Sequence, residues 1–286
     1  MARVPEMKWC PHGSPALPTL EESTLHKGVE TRFSLKGKNA LVTGGARGLG
    51  LTIGHGFLEH GLSKLALFDL DEDVGSKAAA DLCSMFPHAG VDFRRVDVTD
   101  AVALTAAVEE IAETFNGIHV LATFAGIVNS VSATEYTPEG FRKIVDVNTI
   151  GTFLTAQVVG KQMIERKTGG SIILTASMAG HIVNYPQVHV AYGTSKAAVL
   201  HMARCLAAEW AIYGIRVNSL SPGYMDTRLN ASEDLVDVLP TWYERTPMGR
   251  MGDKEELIGP VVMMASAAGS FMTGSDIKVD GGYTLT

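Results

Sequence analysis

Tyr192 and Lys196 stand four residues apart in Tyr192-Gly193-Thr194-Ser195-Lys196, and Ser177 lies fifteen residues upstream of the tyrosine. On a helix, residues i and i+4 share a face, so the phenol and the ammonium would point the same way. A free phenol has a pKa of ~10 and is a poor base near neutrality. A cation held beside it favours the phenolate, and lowering the pKa by ~3 units takes about 4 kcal/mol of differential interaction. The pair therefore reads as a proton-transfer device, with Lys196 lowering the Tyr192 pKa and Ser177 as a hydroxyl that could hold a substrate oxygen. A snorkelling surface pair is the plainer reading of Y-x-x-x-K, and the surroundings weigh against it. Residues 168–195 contain no Asp, Glu, Lys or Arg, yet include His181, Asn184, Pro186, Gln187 and His189. Such a run reads as a buried strand followed by a pocket-lining loop rather than a membrane span.

A second constellation lies near the start of the chain, in Thr43-Gly44-Gly45-Ala46-Arg47-Gly48-Leu49-Gly50. Glycines at Gly44, Gly48 and Gly50, after a strand-like run and before a helix-like one, let backbone approach a pyrophosphate. The helix opening at Leu49 then offers its N–H groups to the phosphates. Asp69 follows 25 residues beyond Gly44, at the end of the next strand-like run. A carboxylate there accepts hydrogen bonds from ribose hydroxyls and repels a 2′-phosphate, which favours NAD over NADP. Arg47 pulls the other way, because a cation in the glycine turn could meet a 2′-phosphate; the reading backs Asp69. Asp71 and Asp73 read as a solvated helix start. Asp97 ends the third strand-like run, where it could hold the adenine amino group with the Val98 N–H against the ring. A helix cap is its plainer role, which Asp100 or Thr99 could also fill.

The elements that must position these residues alternate. Strand-like runs cover 40–43, 64–69, 91–97, 118–124, 171–176, 215–219 and 276–280, with helix-like stretches at 49–60, 74–85, 101–115, 137–157, 191–210 and 254–266. Most strands are short apolar runs, as in a parallel sheet covered on both faces. Repeated strand–helix–strand units give a single-domain α/β fold, a doubly wound parallel sheet. Residues 1–34, with Pro5, Pro11, Pro15 and Pro18, read as an N-terminal extension, either disordered or covering an interface, and residues 35–286 as the domain. The uncharged stretch 257–275 reads as a buried helix running into a turn.

Of 286 residues 46% are apolar and 19% charged, and the net charge of −7 argues against a nucleic-acid partner. The N-terminus lacks the apolar core of a secretory signal, and no membrane partner is expected. Three widely spaced cysteines, Cys10, Cys83 and Cys205, suggest a reducing, cytoplasmic compartment and no metal site.

Taken together these motifs resemble the short-chain dehydrogenase/reductase family over roughly residue 35 to the C-terminus. The resemblance rests on the turn at 43–50, Asp69, Asp97, Asn148 in Val147-Asn148-Thr149-Ile150-Gly151, Ser177, Tyr192-x-x-x-Lys196 and Pro222-Gly223. It implies a Rossmann-like sheet of strand order 3-2-1-4-5-6-7, a nicotinamide cofactor, and a homodimer or homotetramer joined through helices near 148–161 and 192–210. It implies that Asn148 bends its helix and serves a proton relay from Lys196, that Lys196 and Tyr192 also meet the cofactor, and that Pro222-Gly223 places backbone near its carboxamide. The family usually has N-N-A-G after the fourth strand. This chain has Thr123-Phe124-Ala125-Gly126, and Ala125 and Gly126 keep the close approach to the nicotinamide ribose. The spacing from Ser177 to Tyr192 is also one or two residues longer than common, so the intervening loop is expected to bulge and shape the substrate pocket.

The implied activity interconverts a secondary alcohol and a ketone, with NAD as hydride carrier and Tyr192 as acid/base. The stretch Asn184-Tyr185-Pro186-Gln187 and the end Asp280-Gly281-Gly282-Tyr283 are similar to fungal-type sugar-alcohol dehydrogenases and ketose reductases of that family. A polyol would meet Ser130, His181, Asn184, Gln187 and His189. Against that, Ile127, Val128, Met178, Val183, Tyr224, Met225 and Trp242 could line an apolar cavity for a bulky natural-product scaffold. Residues 224–247 sit where the family places its substrate lid, with core packing an equal reading for Trp242. Candidate substrate contacts are thus Ser177, Tyr192, Asn184, Tyr224 and Trp242. A dinucleotide-sensing protein without turnover is the alternative from another class, and retention of Asn148, Ser177, Tyr192 and Lys196 argues against it.

Overall fold

Ala40 and Val42 lie on one side of the first strand and Leu41 on the other, and all three are fully buried. Successive side chains of a strand face opposite ways, so apolar residues on both sides require cover on both faces. The structure, a computed structural model, describes residues 6–10, 28–227 and 237–286. In chain order it contains α1 (Val29–Phe33), β1 (Asn39–Thr43), α2 (Gly48–Glu59), β2 (Lys64–Asp69), α3 (Glu72–Met85), β3 (Gly90–Arg95), α4 (Ala101–Phe115), β4 (Val120–Thr123), α5 (Pro138–Val145), α6 (Thr152–Glu165), β5 (Gly170–Thr175), α7 (Val190–Trp210), β6 (Ile215–Pro222), β7 (Met225–Asp226), α8 (Leu239–Arg245), β8 (Gly252–Asp253), α9 (Ile258–Ala265) and β9 (Asp276–Val279).

Seven strands pair in the order β3-β2-β1-β4-β5-β6-β9, and every pairing is parallel. This is the doubly wound order expected from the sequence. The last strand is numbered nine because β7 and β8 form a separate two-stranded pair. One apolar layer joins Leu41, Phe68, Ile172 and Val217 to α4, α6 and α7. The other joins Ala40, Val42, Leu67 and Ile173 to α2 and α9. Each fully buried Leu or Ile in these layers contributes roughly 1.5–3 kcal/mol of transfer free energy.

Ordered packing of the domain is in place at Leu35, which is fully buried and whose N–H donates to His60 O at 2.8 Å. Most of the extension 1–34, and residues 228–236 of the expected lid, lie outside the described residues. Among the described residues no helix is long and apolar enough to cross a membrane. The uncharged stretch at 257–275 contains α9.

The helix-like stretch 137–157 is interrupted at the residue expected to bend it. A π turn at Asp146–Gly151 separates α5 from α6. One extra residue in a turn rotates the side chains that follow, and such turns cluster at functional sites. Here the rotation directs Asn148 inward, where it is fully buried. Gly151 closes the turn against Val98, because a Cβ on Gly151 would lie 2.6 Å from Val98 Cγ2.

Candidate active site

The site residues gather at the C-terminal ends of the strands. The strand order reverses between β1 and β4, and the loops leaving those two strands part there into a crevice. Gly44 has φ +66°, and a Cβ on it would lie 2.6 Å from Ala125 N and from Phe124 C. A Cβ on Gly50 would lie 2.1 Å from Gly44 O, so the turn and the start of α2 tolerate no side chain there. Gly48 has φ +56° with open space beside it. Together these glycines leave the first N–H groups of α2 uncovered, and Leu49 is the second residue of that helix. This cradle fits a pyrophosphate.

Asp69 stands across from it. Its Oδ2 accepts from Ala46 N at 3.1 Å and its Oδ1 from Leu70 N at 2.8 Å. Asp71 N also donates to Oδ1 at 3.3 Å, so of about four acceptor sites on an ionised carboxylate one is left for a ribose hydroxyl. Arg47, whose side chain is largely exposed, pairs with Asp71 at 3.2 Å. Asp97 Oδ1 takes the Thr99 N–H at 2.9 Å and the Thr99 hydroxyl at 2.7 Å. Asp100 caps α4 through Val102 N and Ala103 N, leaving Asp97 at the crevice rim. On the far side Gly223 N donates to Val279 O at 2.9 Å, and a Cβ on Gly223 would lie 2.6 Å from Asp280 Cα. Pro222-Gly223 is therefore a tight backbone approach between β6 and β9.

At the centre of the row, Ser177 follows β5 and lies beside the Tyr192 phenol, whose pKa it pulls down. The Ser177 side chain also accepts from Ala179 N at 3.2 Å, which fixes its rotamer. Lys196, on the same face of α7 as Tyr192, is 5% exposed. Its Nζ donates to Thr175 O at 2.8 Å and lies 5.8 Å from the centroid of the Tyr192 ring. A Cβ on Gly126 would come 3.7 Å from that Nζ and 3.2 Å from Asn148 Oδ1. Asn148 clamps the loop after β4: its Oδ1 accepts from Ile127 N at 2.8 Å and its Nδ2 donates to Ile127 O at 2.9 Å. The same Nδ2 donates to Ser195 Oγ at 3.0 Å. Thr123, standing where the family usually has Asn, accepts from Thr175 N at 3.3 Å and so joins β4 to β5.

The structure brings Ser177, Tyr192, Lys196 and Asn148 together, and corrects the electrostatics expected of them. Burial holds the Tyr192 phenol above its ordinary range, and the hydrogen bond from Ser177 is what pulls it down. Burial lowers Lys196 to about 8. The two side chains alone therefore do not lower the tyrosine; the lysine releases its proton first, because desolvation penalises both charged forms. The folded chain holds the Lys196 proton less tightly than the unfolded chain. The group thus favours unfolding below about pH 8, and the penalty disappears as pH rises from about 8 toward 10.5. Ketone reduction is expected to hold level up to about pH 8 and fall above it as the ammonium is lost, while Tyr192 keeps its proton. A kcat/KM profile checks this, with Lys196→Met expected to lack that limb.

The pocket residues divide. Trp242, expected to face the substrate, is fully buried and stacks on Tyr224 at 3.8 Å. Its Nε1 donates to Gln187 Oε1 at 3.1 Å, and Tyr224 OH donates to the same oxygen at 2.7 Å. Asn184 Nδ2 donates to Tyr224 OH at 3.3 Å, while its buried Oδ1 has no partner among the described residues. His181 turns to the sheet edge, with Nε2 2.9 Å from Asp276 Oδ2. His189 sits edge-on to Tyr192 at 5.9 Å, and burial lowers its pKa.

The motif reading passed over Ser195 and Thr175. Ser195 Oγ donates to Tyr192 O at 2.7 Å and is itself the acceptor for Asn148. Its place beside Lys196 was the available signal; no pattern marks the Thr175 carbonyl.

A family model described as enoyl-(acyl carrier protein) reductase matches residues 44–284. A solved short-chain type dehydrogenase/reductase from Mycobacterium marinum superposes with a TM-score of 0.85 at 40% identity, covering 89% of this chain and 98% of that one. The chain belongs to the short-chain dehydrogenase/reductase family. Among curated members of that family, galactitol 2-dehydrogenase (L-tagatose-forming) of Cereibacter sphaeroides is 40% identical over 257 residues, with 89% of this chain and 98% of that protein covered. The NADP-dependent mannitol dehydrogenase of Alternaria alternata is 36% identical over 259 residues, with 88% and 94% covered. The short-chain dehydrogenase/reductase assignment agrees with the strand order and with the crevice at the β1–β4 reversal.

Proposed function

We propose that this protein is an NAD(H)-dependent oxidoreductase that interconverts a secondary alcohol of a polyol and the corresponding ketone. The carrying observation is the buried Tyr192 phenol with Ser177 beside it and Lys196 Nζ, anchored on Thr175 O, 5.8 Å from the ring centroid. Bound nicotinamide supplies the hydride acceptor or donor. Tyr192 Oη takes the proton of the reacting hydroxyl in one direction and returns it in the other. Ser177 Oγ holds the reacting oxygen as its charge changes. Lys196, anchored on Thr175 O, supplies positive charge at the far side of the ring. Asn148 holds the Ile127 backbone and so positions the loop that carries Ala125 and Gly126.

The glycine cradle, Asp69, the Asp97–Val98 rim and the Pro222-Gly223 approach fit a dinucleotide. Asp69 supports NAD; the NADP dependence of the mannitol dehydrogenase relative makes the choice an experimental one. A polyol is supported by the names of the relatives and by the polar mesh that Asn184 and Gln187 of the long loop form with Tyr224, which follows β6. The bulky apolar scaffold is disfavoured, because Met178, Met225 and Trp242 are at most 3% exposed and already packed in the core. Residues 35–286 form the catalytic domain in this reading, and the protein is a homodimer or homotetramer. Cys10, Cys83 and Cys205, all free thiols, support a cytoplasmic setting.

The test is turnover on galactitol, mannitol, sorbitol and arabinitol, and on their ketoses, with NAD(H) and NADP(H), beside a panel of cyclic secondary alcohols. Polyol oxidation with NAD is the expected result. Turnover of the cyclic alcohols alone would transfer the protein to the scaffold reading. Cofactor binding with no turnover of either panel would leave a dinucleotide sensor.

A further inference from the structure

The turn between β2 and α3 carries more charge than a cofactor-selecting carboxylate requires. Asp69 points Oδ2 back to Ala46 N in the glycine turn at 3.1 Å. Two residues on, Asp71 is the N-cap of α3, with Oδ1 accepting from Val74 N at 3.2 Å. Its other oxygen, Oδ2, lies 3.2 Å from Arg47 Nη2. Asp71 thus reaches across from the β2–α3 turn to the glycine turn beside Asp69. Next to this bridge lies an open cleft of about 510 Å³ lined by Leu70, Asp71, Glu72, Asp73 and Arg95.

We propose that Asp71 is a second cofactor-selecting residue, which acts by holding Arg47 and so withholding the guanidinium from a 2′-phosphate. This rests on the reading of Asp69 as the ribose-binding carboxylate. Arg47 is the group in the glycine turn best suited to a phosphomonoester, because its planar fork matches phosphate oxygens. Paired with Asp71, it no longer presents an uncompensated charge. Glu72 and Asp73 extend the acidic rim, so a 2′-phosphate would meet four carboxylates from Asp69 to Asp73 against two guanidinium groups, Arg47 and Arg95. The Arg47–Asp71 pair is exposed, with side-chain accessibilities of 63% and 34%, and exposed pairs add little to stability. Its consequence is therefore felt in ligand choice. Replacing Asp69 alone removes one repulsion and leaves Arg47 engaged, so the two aspartates act together.

The test is a binding cycle read by NADH and NADPH fluorescence, independent of turnover. It uses the wild type, Asp69→Ser, Asp71→Ser, Asp71→Asn and the Asp69→Ser/Asp71→Ser double variant, each also with Arg47→Gln. Ser and Asn preserve the helix cap while removing the charge. Asp69→Ser is expected to improve NADPH binding modestly. Adding Asp71→Ser should improve it by about a further tenfold, the scale of a charge-assisted phosphate contact, and Arg47→Gln should remove most of that added gain, leaving only the relief of direct repulsion. The gain should shrink as salt is raised. Asp71 variants that leave the NADPH to NADH ratio unchanged in both backgrounds overturn the proposal, as does a gain of equal size with and without Arg47→Gln. A wild type that prefers NADPH instead refutes the reading of Asp69, and the Arg47–Asp71 coupling is still read from the same cycle.

Discussion

Tyr192→Phe is expected to lower kcat by on the order of 10²–10⁴-fold in both directions, the usual worth of a positioned acid/base. NADH affinity should stay within about twofold, since the change deletes one hydroxyl and leaves the ring in place. That hydroxyl is the group whose pKa Ser177 pulls down, and the site offers no substitute at the same point. Of its titratable neighbours, Lys196 is tied to Thr175 O with Nζ 5.8 Å from the ring centroid, and the His189 ring is 5.9 Å away and edge-on to the tyrosine. Stopped-flow binding with steady-state turnover separates the two effects. A variant that binds NADH normally and turns over at the wild-type rate would remove Tyr192 from the mechanism.

Asn148→Ala should cost roughly 3 kcal/mol of stability, because it strands the buried Ile127 N–H and carbonyl, and each unsatisfied buried group costs about 1–3 kcal/mol. For a domain of this size that corresponds to a Tm lower by about 6–12 °C. Cofactor affinity and kcat should fall with it, since the Ile127 loop carries Gly126 toward Lys196. Asn148→Asp should not rescue either property. Aspartate can accept from Ile127 N, but it has no donor for Ile127 O or Ser195 Oγ and it buries a charge beside the carbonyl. Calorimetry and NADH titration read both consequences. Wild-type melting of both variants would mean that the clamp contributes nothing.

These two residues differ in how far the sequence disclosed them. Tyr192 announced itself, because a four-residue spacing to Lys196 is a local property of a helix and an uncharged run is visible in any listing of residues. The glycine turn and Asp69 were legible for the same reason: a strand, a turn that must admit phosphate, and a helix are adjacent in the chain. Asn148 was legible only through resemblance to a family. The π turn that aims it is stabilised by the Ile127 loop and by Ser195, 21 and 47 residues away in the chain.

The sequence by itself determined the parallel sheet, the glycine turn and the shared helical face of Tyr192 and Lys196, because hydrophobic period, turn glycines and helical spacing are set by near neighbours. The tertiary structure decided the state of charge and the partners. It placed Tyr192 above and Lys196 below their ordinary pKa values, since desolvation is a property of the packed surroundings. It tied Arg47 to Asp71 across two turns that are 24 residues apart. It also buried Trp242, stacked on Tyr224 and hydrogen-bonded to Gln187. Each of these outcomes depends on groups brought together from distant parts of the chain, which periodicity and spacing do not encode.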